Sequence, residues 1–520
     1  MFHQVSVSRR LKIPNLRFLS VCAPRFVVVL GVLAYAVCGS AAAPRPSFLV
    51  IFTDDVGWGD IHCYNPHGKI PTPNVDRLAR EGMMFTHAHT PAALCAPTRY
   101  AMLTGNYPWR GRNPGGTWGF NVPSQLKPGQ KTVAGMLKTA GYRTAMFGKA
   151  GTGGFWADAP DEKPGRRLAP MEWGFDYSFL IPRGHQAPPK AFFENGVRVK
   201  LDWDVSQVGH RLLDKAVKFL DDIHNSGQPQ PFYLYFCTDG AHSPFVPAAS
   251  LSGQPLKGAT KMTDHTDMIH ETDILTGKLI EALEQRGLLE NTLMVYTSDN
   301  GGLPMERPMG HDAVAGLRGR KAFIFEGGTR VPFVVRWPGK VPAGTVRRQP
   351  IGTHDIVATA LELAGVRVPA DQALDSASLV PVLLGQRDDS QPIRDSLQVQ
   401  SCPGRGPHDD GGTRAVEPGE ANGAQSQATE REAGPGAARK DGTKNGRRGI
   451  AHALYVGDWK LVLNDDGKGV SPYNLAEDLA EKHDLIASPE QASRIRQMQK
   501  RYGEIRKSKR SVATVDGGAE

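Results

Sequence analysis

Three short apolar runs end in polar residues that could do chemistry together. Ser47-Phe-Leu-Val-Ile-Phe-Thr53 ends in Asp54-Asp55, Phe232-Tyr-Leu-Tyr-Phe-Cys237 in Thr238-Asp239-Gly-Ala-His242, and Thr292-Leu-Met-Val-Tyr-Thr297 in Ser298-Asp299-Asn300-Gly301. Asp54, Asp55, Asp299 and Asn300 offer oxygen donors only, and such a set suits Ca²⁺ or Mg²⁺ better than zinc. Acidic pairs after strands also serve as caps and turn residues, so one pair alone carries little weight. Two pairs with basic residues between them in sequence carry more. Lys149, in Met146-Phe-Gly-Lys149, and Lys321, in Leu317-Arg-Gly-Arg-Lys321, could hold a tetrahedral anion, and His242 could protonate a leaving oxygen. Taken singly, the two lysines read equally well as solvated surface groups. Cys95 opens Cys95-Ala-Pro-Thr-Arg99, and Pro97 suits the first turn of a helix. Cys95 would then sit at a helix N-terminus, where free N–H groups favour an anionic nucleophile or ligand. From these residues alone, a thiol nucleophile stays open.

The elements that would position them are legible in outline. The three apolar runs are nearly continuous, as expected of strands covered on both faces. Helical patterns alternate with them. Asn74–Glu81 follows Pro73, Thr272–Arg286 stops at Gly287, and Val357–Ala364 stops at Gly365. Strands alternating with helices predict a doubly wound α/β sheet, whose ligands bind at the carboxyl ends of the strands. Ala453–Val456 and Trp459–Leu463 predict an antiparallel pair joined at Gly457-Asp458, followed by an amphipathic helix from Pro489 to Ile505. Residues 403–449 are rich in Gly, Ala, Pro and charge, with Val416 the one large aliphatic, and predict a disordered insertion.

A length of 520 residues accommodates a large catalytic domain and a smaller one. The expected organisation is a signal at 1–43, a catalytic domain at 44–400, the insertion at 401–449, a C-terminal subdomain at 450–510 and a tail at 511–520. The formal charge of +9 is concentrated in Arg9, Arg10, Lys12, Arg17 and Arg25 and in Arg506-Lys507-Ser508-Lys509-Arg510. No stretch interleaves basic residues with aromatics, so nucleic acid is not an expected partner. The first basic group precedes the apolar run 26–38 and the small residues Gly39–Ala43, the pattern of an export signal. The membrane becomes a partner only if that segment stays uncleaved. Of six cysteines, Cys22 and Cys38 would leave with the signal. Those left form no disulfide framework, although one bridge such as Cys63–Cys402 is open.

Cys95-Ala-Pro-Thr-Arg99 with Leu103-Thr-Gly105 resembles the signature of the sulfatase family, C-x-P-x-R followed by T-G. Further similar stretches are Thr72-Pro-Asn-Val-Asp-Arg77, Gly240-Ala-His-Ser-Pro-Phe245, Thr297-Ser-Asp-Asn-Gly301, Phe325-Glu-Gly-Gly-Thr-Arg-Val-Pro332 and Tyr455-Val-Gly-Asp-Trp-Lys-Leu461. The resemblance spans about residues 46–400 and 450–505 and is to the arylsulfatase A-type branch of the alkaline phosphatase superfamily. It implies a three-layer α/β sandwich with a large, mostly parallel sheet and a smaller antiparallel C-terminal subdomain.

For the chemistry, the resemblance implies Ca²⁺ on Asp54, Asp55, Asp299 and Asn300, with the side chain of residue 95 at the same ion. It implies formylglycine made from Cys95 by a formylglycine-generating enzyme. One hydroxyl of its hydrate attacks sulfur to give a sulfated intermediate, and the second expels sulfate. Arg99 would hold that group, Lys149 and Lys321 would bind sulfate, and His242 would protonate the leaving oxygen. The expected substrate is a sulfated small molecule or carbohydrate. Loop tryptophans Trp109, Trp118, Trp156 and Trp173 could stack on sugar rings or simply pack. One departure stands out: the family's histidine two residues after the first lysine is Gly151 here. His185 and His311 are candidates to replace it. A phosphate or phosphonate ester hydrolase, or a catalytically impaired binding protein, are the alternative functions.

Overall fold

The computed structural model describes residues 45–113, 124–153, 172–186, 190–227, 230–411 and 449–512. The expected signal at 1–43, Trp118, Trp156, most of the insertion and the end of the tail lie outside these residues. The three apolar runs form β1 (Ser47–Thr53), β7 (Phe232–Cys237) and β8 (Thr292–Ser298), each buried along its whole length. Between and beside them lie β2 (Met83–Phe85), β3 (Arg143–Lys149), β4 (Tyr177–Ile181), β5 (Phe193–Glu194), β6 (Val197–Arg198), β9 (Phe333–Arg336) and β10 (Thr345–Arg347). The ten-stranded sheet runs β10-β2-β9-β8-β1-β7-β3-β4-β5-β6. Its centre, β8-β1-β7-β3-β4, is parallel, while β9, β5 and β6 pair antiparallel. The sheet is therefore mixed, with its parallel part where the catalytic candidates emerge.

Alternation along β1 feeds two cores. Phe48, Val50 and Phe52 pack on one face with Tyr233 and Tyr235, under α2 (Cys95–Thr104), α3 (Val133–Lys138) and α6 (Asp355–Leu363). Leu49 and Ile51 pack on the other with Leu234 and Phe236, under α1 (Pro73–Glu81), α4 (Val208–His224) and α5 (Asp264–Gln285). These are the two helical layers of a sandwich. Helix α5 begins eight residues before the expected start, because Thr263 and Thr266 form a capping box ahead of it. Its first turns bury His265, Thr266, Asp267, Glu271 and Asp273, so apolar periodicity does not reveal them. Asp273 in turn caps α1, accepting the N–H groups of Asn74 (3.0 Å) and Val75 (2.8 Å).

A second, four-stranded antiparallel sheet follows: β11 (Leu397–Gln400), β12 (His452–Val456), β13 (Trp459–Leu463) and β14 (Gly469–Asn474). Helix α7 (Ala492–Lys507) covers it through Ile495, Met498, Tyr502 and Ile505. A buried ionic network fastens this sheet to the large domain. Glu326 accepts from Lys460 Nζ (3.0 Å), Tyr455 OH (2.7 Å) and Arg330 Nε (2.7 Å), and Lys460 also pairs with Glu481 (2.7 Å).

Residues 402–411 differ from the composition-based expectation. Cys402 is buried beside Leu94, Cys95, Ala322 and Phe323, and its N–H donates to the Ala322 carbonyl (2.9 Å). Arg405 stacks 4.7 Å from the Phe323 ring, and Arg318 pairs with Asp410 (3.1 Å). A short segment of polar composition is ordered here by aromatic and charged partners from the main domain. A Cys63–Cys402 bridge is ruled out as well: both are free, and they lie in different clusters. Among the described residues no helix is long and apolar enough to cross a membrane.

Candidate active site

β1 and β8 pair in parallel with Thr53 opposite Ser298, so their terminal residues emerge side by side. Asp54, Asp55, Asp299 and Asn300 are all buried. Asp55 has φ 62°, a left-handed conformation that aspartate tolerates and that turns the chain sharply at the strand end. Its N–H donates to Asp299 Oδ1 (3.2 Å), and Asn300 Nδ2 donates to Asp55 Oδ1 (2.8 Å). Cys95 is the first residue of α2, as the position of Pro97 predicts. The ligand atoms of Asp54, Cys95 and Asp299 lie within 4.8 Å of one another. Asp54 Oδ1 and Asn300 Oδ1 are buried with no hydrogen-bond partner. Buried acceptors of this kind need a compensating positive group. An all-oxygen set around such acceptors fits a hard divalent cation.

Positive side chains close the cradle. Lys149 Nζ, at the end of β3, donates to Asp54 Oδ2 (2.5 Å), and Lys321 Nζ to Asp55 Oδ2 (2.6 Å). Arg99, one turn into α2, donates through Nε (3.1 Å) and Nη2 (2.6 Å) to Asp299 Oδ2 and through Nη1 to the Lys149 carbonyl (2.9 Å). The loop after β7 is knitted to the same place, Ala241 N–H donating to the Asp54 carbonyl (2.7 Å). His242 Nε2 faces Asp55 Oδ2 at 3.8 Å and has no hydrogen-bond partner. All nine side chains predicted from sequence thus converge at one edge of the sheet.

The charges are strongly coupled. Burial pushes Asp54 and Asp55 up, but the surrounding positive groups, led by Lys149 at Asp54 and by Lys321 at Asp55, together outweigh it and hold both below the ordinary carboxylate range. Asp299 goes the other way, to about 7, through burial and then the charge of Asp54. Burial, followed by Lys321 and Lys149, lowers His242 to about 4. Its Nδ1 donates to the Ser243 carbonyl (2.7 Å), so the neutral ring presents a bare Nε2 to the site. Burial raises the Cys95 thiol, which argues against the thiolate nucleophile left open by sequence.

Neither candidate replacement for the missing histidine stands in its place. His311 lies in a separate cluster, with Nε2 2.8 Å from Asp60 Oδ1 and Nδ1 accepting the Lys69 N–H (3.1 Å). His185 is occupied by Asp239 and the His242 backbone. At residue 151 the backbone itself excludes a side chain: φ is +68°, and a Cβ there would meet Arg99 Cδ at 2.9 Å. Of the candidate stacking residues, Trp109 is stacked by the guanidinium groups of Arg110 (4.2 Å) and Arg506 (4.5 Å), and Trp173 is buried in the core. Asp239 had no assigned role in the sequence reading. It stands two residues past β7 as Asp55 stands two residues past β1, so its position just after a strand was the available signal.

A cradle at the carboxyl edge of such a sandwich with the donors for a hard cation and the lysines for a tetrahedral anion points to a hydrolase of tetrahedral esters. The Sulfatase family profile matches residues 46–366. The chain is 30% identical over 393 residues to N-acetylgalactosamine-6-sulfatase of Canis lupus familiaris, covering 70% of this chain and 71% of that one. It is 32% identical over 408 residues to N-acetylgalactosamine-6-O-sulfatase of Bacteroides thetaiotaomicron (66% and 77%), and 33% identical over 375 residues to human arylsulfatase A (67% and 69%). A Bacteroides thetaiotaomicron structure, solved in work on that organism's metabolism of multiple glycosaminoglycans, superposes with a TM-score of 0.69 at 25% identity, covering 90% of this chain and all of that one. A phosphonate monoester hydrolase of Agrobacterium radiobacter, at 21% identity, shares the fold with a TM-score of 0.56. The chain belongs to the sulfatase family and is a sulfuric ester hydrolase.

Proposed function

We propose that the enzyme hydrolyses sulfate esters of a carbohydrate, using formylglycine made from Cys95 and Ca²⁺ held by Asp54, Asp55, Asp299 and Asn300. The carrying observation is that Cys95 Sγ shares one small volume with Asp54 and Asp299, where Asp54 also has a buried oxygen without a hydrogen-bond partner. When bound, the cation and the hydrated aldehyde supply a Lewis acid and two hydroxyls on one carbon. Arg99 holds residue 95 in register by gripping Asp299 and the Lys149 carbonyl. Lys149 and Lys321 bind the sulfate oxygens as their charge develops. His242, neutral in the free enzyme, gains a proton as the anionic substrate raises its affinity, and Nε2 delivers it to the leaving oxygen. With no histidine at 151, His242 is also the imidazole that can take back a proton when sulfate is expelled.

The curated relatives named for N-acetylgalactosamine 6-sulfate support a sulfated sugar as substrate. The basic and apolar segment 1–43 supports export through a signal. Mass spectrometry of the Cys95 peptide, from protein made alongside a formylglycine-generating enzyme, tests the central claim. An aldehyde or its hydrate is expected, with sulfate release that vanishes in Cys95→Ala; a free thiol throughout would overturn it. Faster turnover of an aryl phosphate than of the matching aryl sulfate would favour the phosphate ester reading.

A further inference from the structure

His185 makes contacts that the proposed chemistry does not use. It arrives on the loop after β4, and its ring is 1% exposed. Nε2 lies 2.7 Å from the His242 carbonyl oxygen, which can only accept, so Nε2 carries a hydrogen. Nδ1 forms an ion pair with Asp239 Oδ2 at 2.5 Å, bent away from a straight hydrogen bond. The same carboxylate oxygen accepts the His185 N–H (2.6 Å). Both ring nitrogens therefore face acceptors. Burial opposes the charged ring, but Asp239, helped by the His242 carbonyl and Asp54, outweighs it and raises His185 above its ordinary value. The loop is pressed close. A Cβ at Gly184, where φ is +89°, would meet Asp239 Oδ1 at 2.7 Å and Lys149 Cδ at 3.1 Å. Asp239 itself lies two residues past the end of β7, and its carbonyl accepts the His242 N–H (3.2 Å). The His242 peptide is thus gripped at both ends by one His–Asp pair.

We propose that His185 and Asp239 form a positioning pair for His242, fixing the backbone that aims its Nε2 at the leaving-group oxygen. This rests on the sulfatase reading with His242 as proton donor. His185 does not touch the reacting atoms. Its contribution passes through the 2.7 Å contact to the His242 carbonyl, and it holds a site that lacks the family's other histidine to the imidazole it retains.

The test compares leaving groups. Phenyl sulfate needs its leaving oxygen protonated, whereas 4-nitrophenyl sulfate departs without help. In the calcium-loaded, formylglycine-containing enzyme, His185→Ala should slow kcat/KM for phenyl sulfate by about 100-fold, the size of a misplaced general acid. The loss on 4-nitrophenyl sulfate should stay under about 10-fold. His185→Gln, whose side-chain amide can still donate to the His242 carbonyl, should recover most of the phenyl sulfate activity. Equal losses on the two substrates, or no loss on phenyl sulfate, would overturn the proposal. If His185→Ala does not fold, Asp239→Asn carries the same comparison, and only a larger loss on phenyl sulfate than on 4-nitrophenyl sulfate upholds the proposal. A second readout needs no turnover. In the Cys95→Ala background, the Nδ1–H resonance of His242 should lose exchange protection when His185 is alanine; unchanged protection counts against the pair. Wild-type enzyme that releases no sulfate from either ester would sink the sulfatase reading instead.

Discussion

Arg99 Nη2 lies 2.6 Å from Asp299 Oδ2, and the same guanidinium donates to the Lys149 carbonyl at 2.9 Å. One buried side chain thus ties the start of α2, the end of β8 and the end of β3 together. Arg99→Ala would leave Asp299 buried beside Asp54 without its counter-charge. Breaking a buried pair from one side costs about 3–5 kcal/mol. Urea unfolding of the metal-free protein should show a loss of that size. Arg99→Lys should recover only part of it, since an ammonium cannot reach both an aspartate and a carbonyl on strands with two others between them.

Metal removal gives the second prediction. Dialysis against a chelator should abolish sulfate release, and Ca²⁺ should restore both activity and melting temperature, with Zn²⁺ failing to do so. At a Ca²⁺ concentration about 100 times the dissociation constant, the folded state gains about 2.7 kcal/mol. Calorimetry across a Ca²⁺ series checks this, and a melting temperature indifferent to Ca²⁺ would contradict an ion at Asp54, Asp55, Asp299 and Asn300.

Much of this arrangement is legible in sequence because it lies at the ends of elements. Ser47–Thr53 and Phe232–Cys237 have the bounds their apolar runs announce, and Cys95 opens its helix where Pro97 requires. The doublets after β1 and β8 become neighbours once those strands pair. What stays hidden is contact between distant segments. Nothing in the sequence ties Arg99 to Asp299, 200 residues away, or His185 to the His242 carbonyl. The first turns of α5 escape notice because they bury polar residues that fit no apolar stripe. Residues 402–411 read as part of a low-complexity tract, and only Phe323 and Arg318, supplied from elsewhere in the chain, explain their order.

Restoring the family's histidine should not help. At Gly151 any side chain meets both a φ of +68° and the Arg99 Cδ only 2.9 Å away. Non-glycine residues in that region cost about 1–3 kcal/mol, before the displacement of Arg99 is counted. Gly151→His should therefore lower stability in thermal unfolding and reduce sulfate release at saturating substrate. A variant as stable as the wild type and faster would show that the local backbone can adapt and that the missing imidazole limits turnover.

Glu271 supplies a pH prediction away from the metal cradle. It projects from α5 into the space behind His185 and Asp239, and burial raises it from its ordinary 4.5 to about 7, with His185 opposing and Asp239 adding to the shift. A carboxyl whose folded value exceeds its unfolded one stabilises the fold in its protonated form. That contribution is present in full below about 4.5 and is lost as pH rises through about 7. The window's width sets an upper size of about 3 kcal/mol for the loss. Glu271→Gln keeps the shape and stays neutral throughout. Chemical denaturation of both proteins at pH 5 and pH 8 isolates the group, because the other titrations are common to the pair. The wild type should lose stability relative to Glu271→Gln between these two pH values. Parallel curves would mean that Glu271 is already ionised at pH 5, with a cation or His185 compensating it.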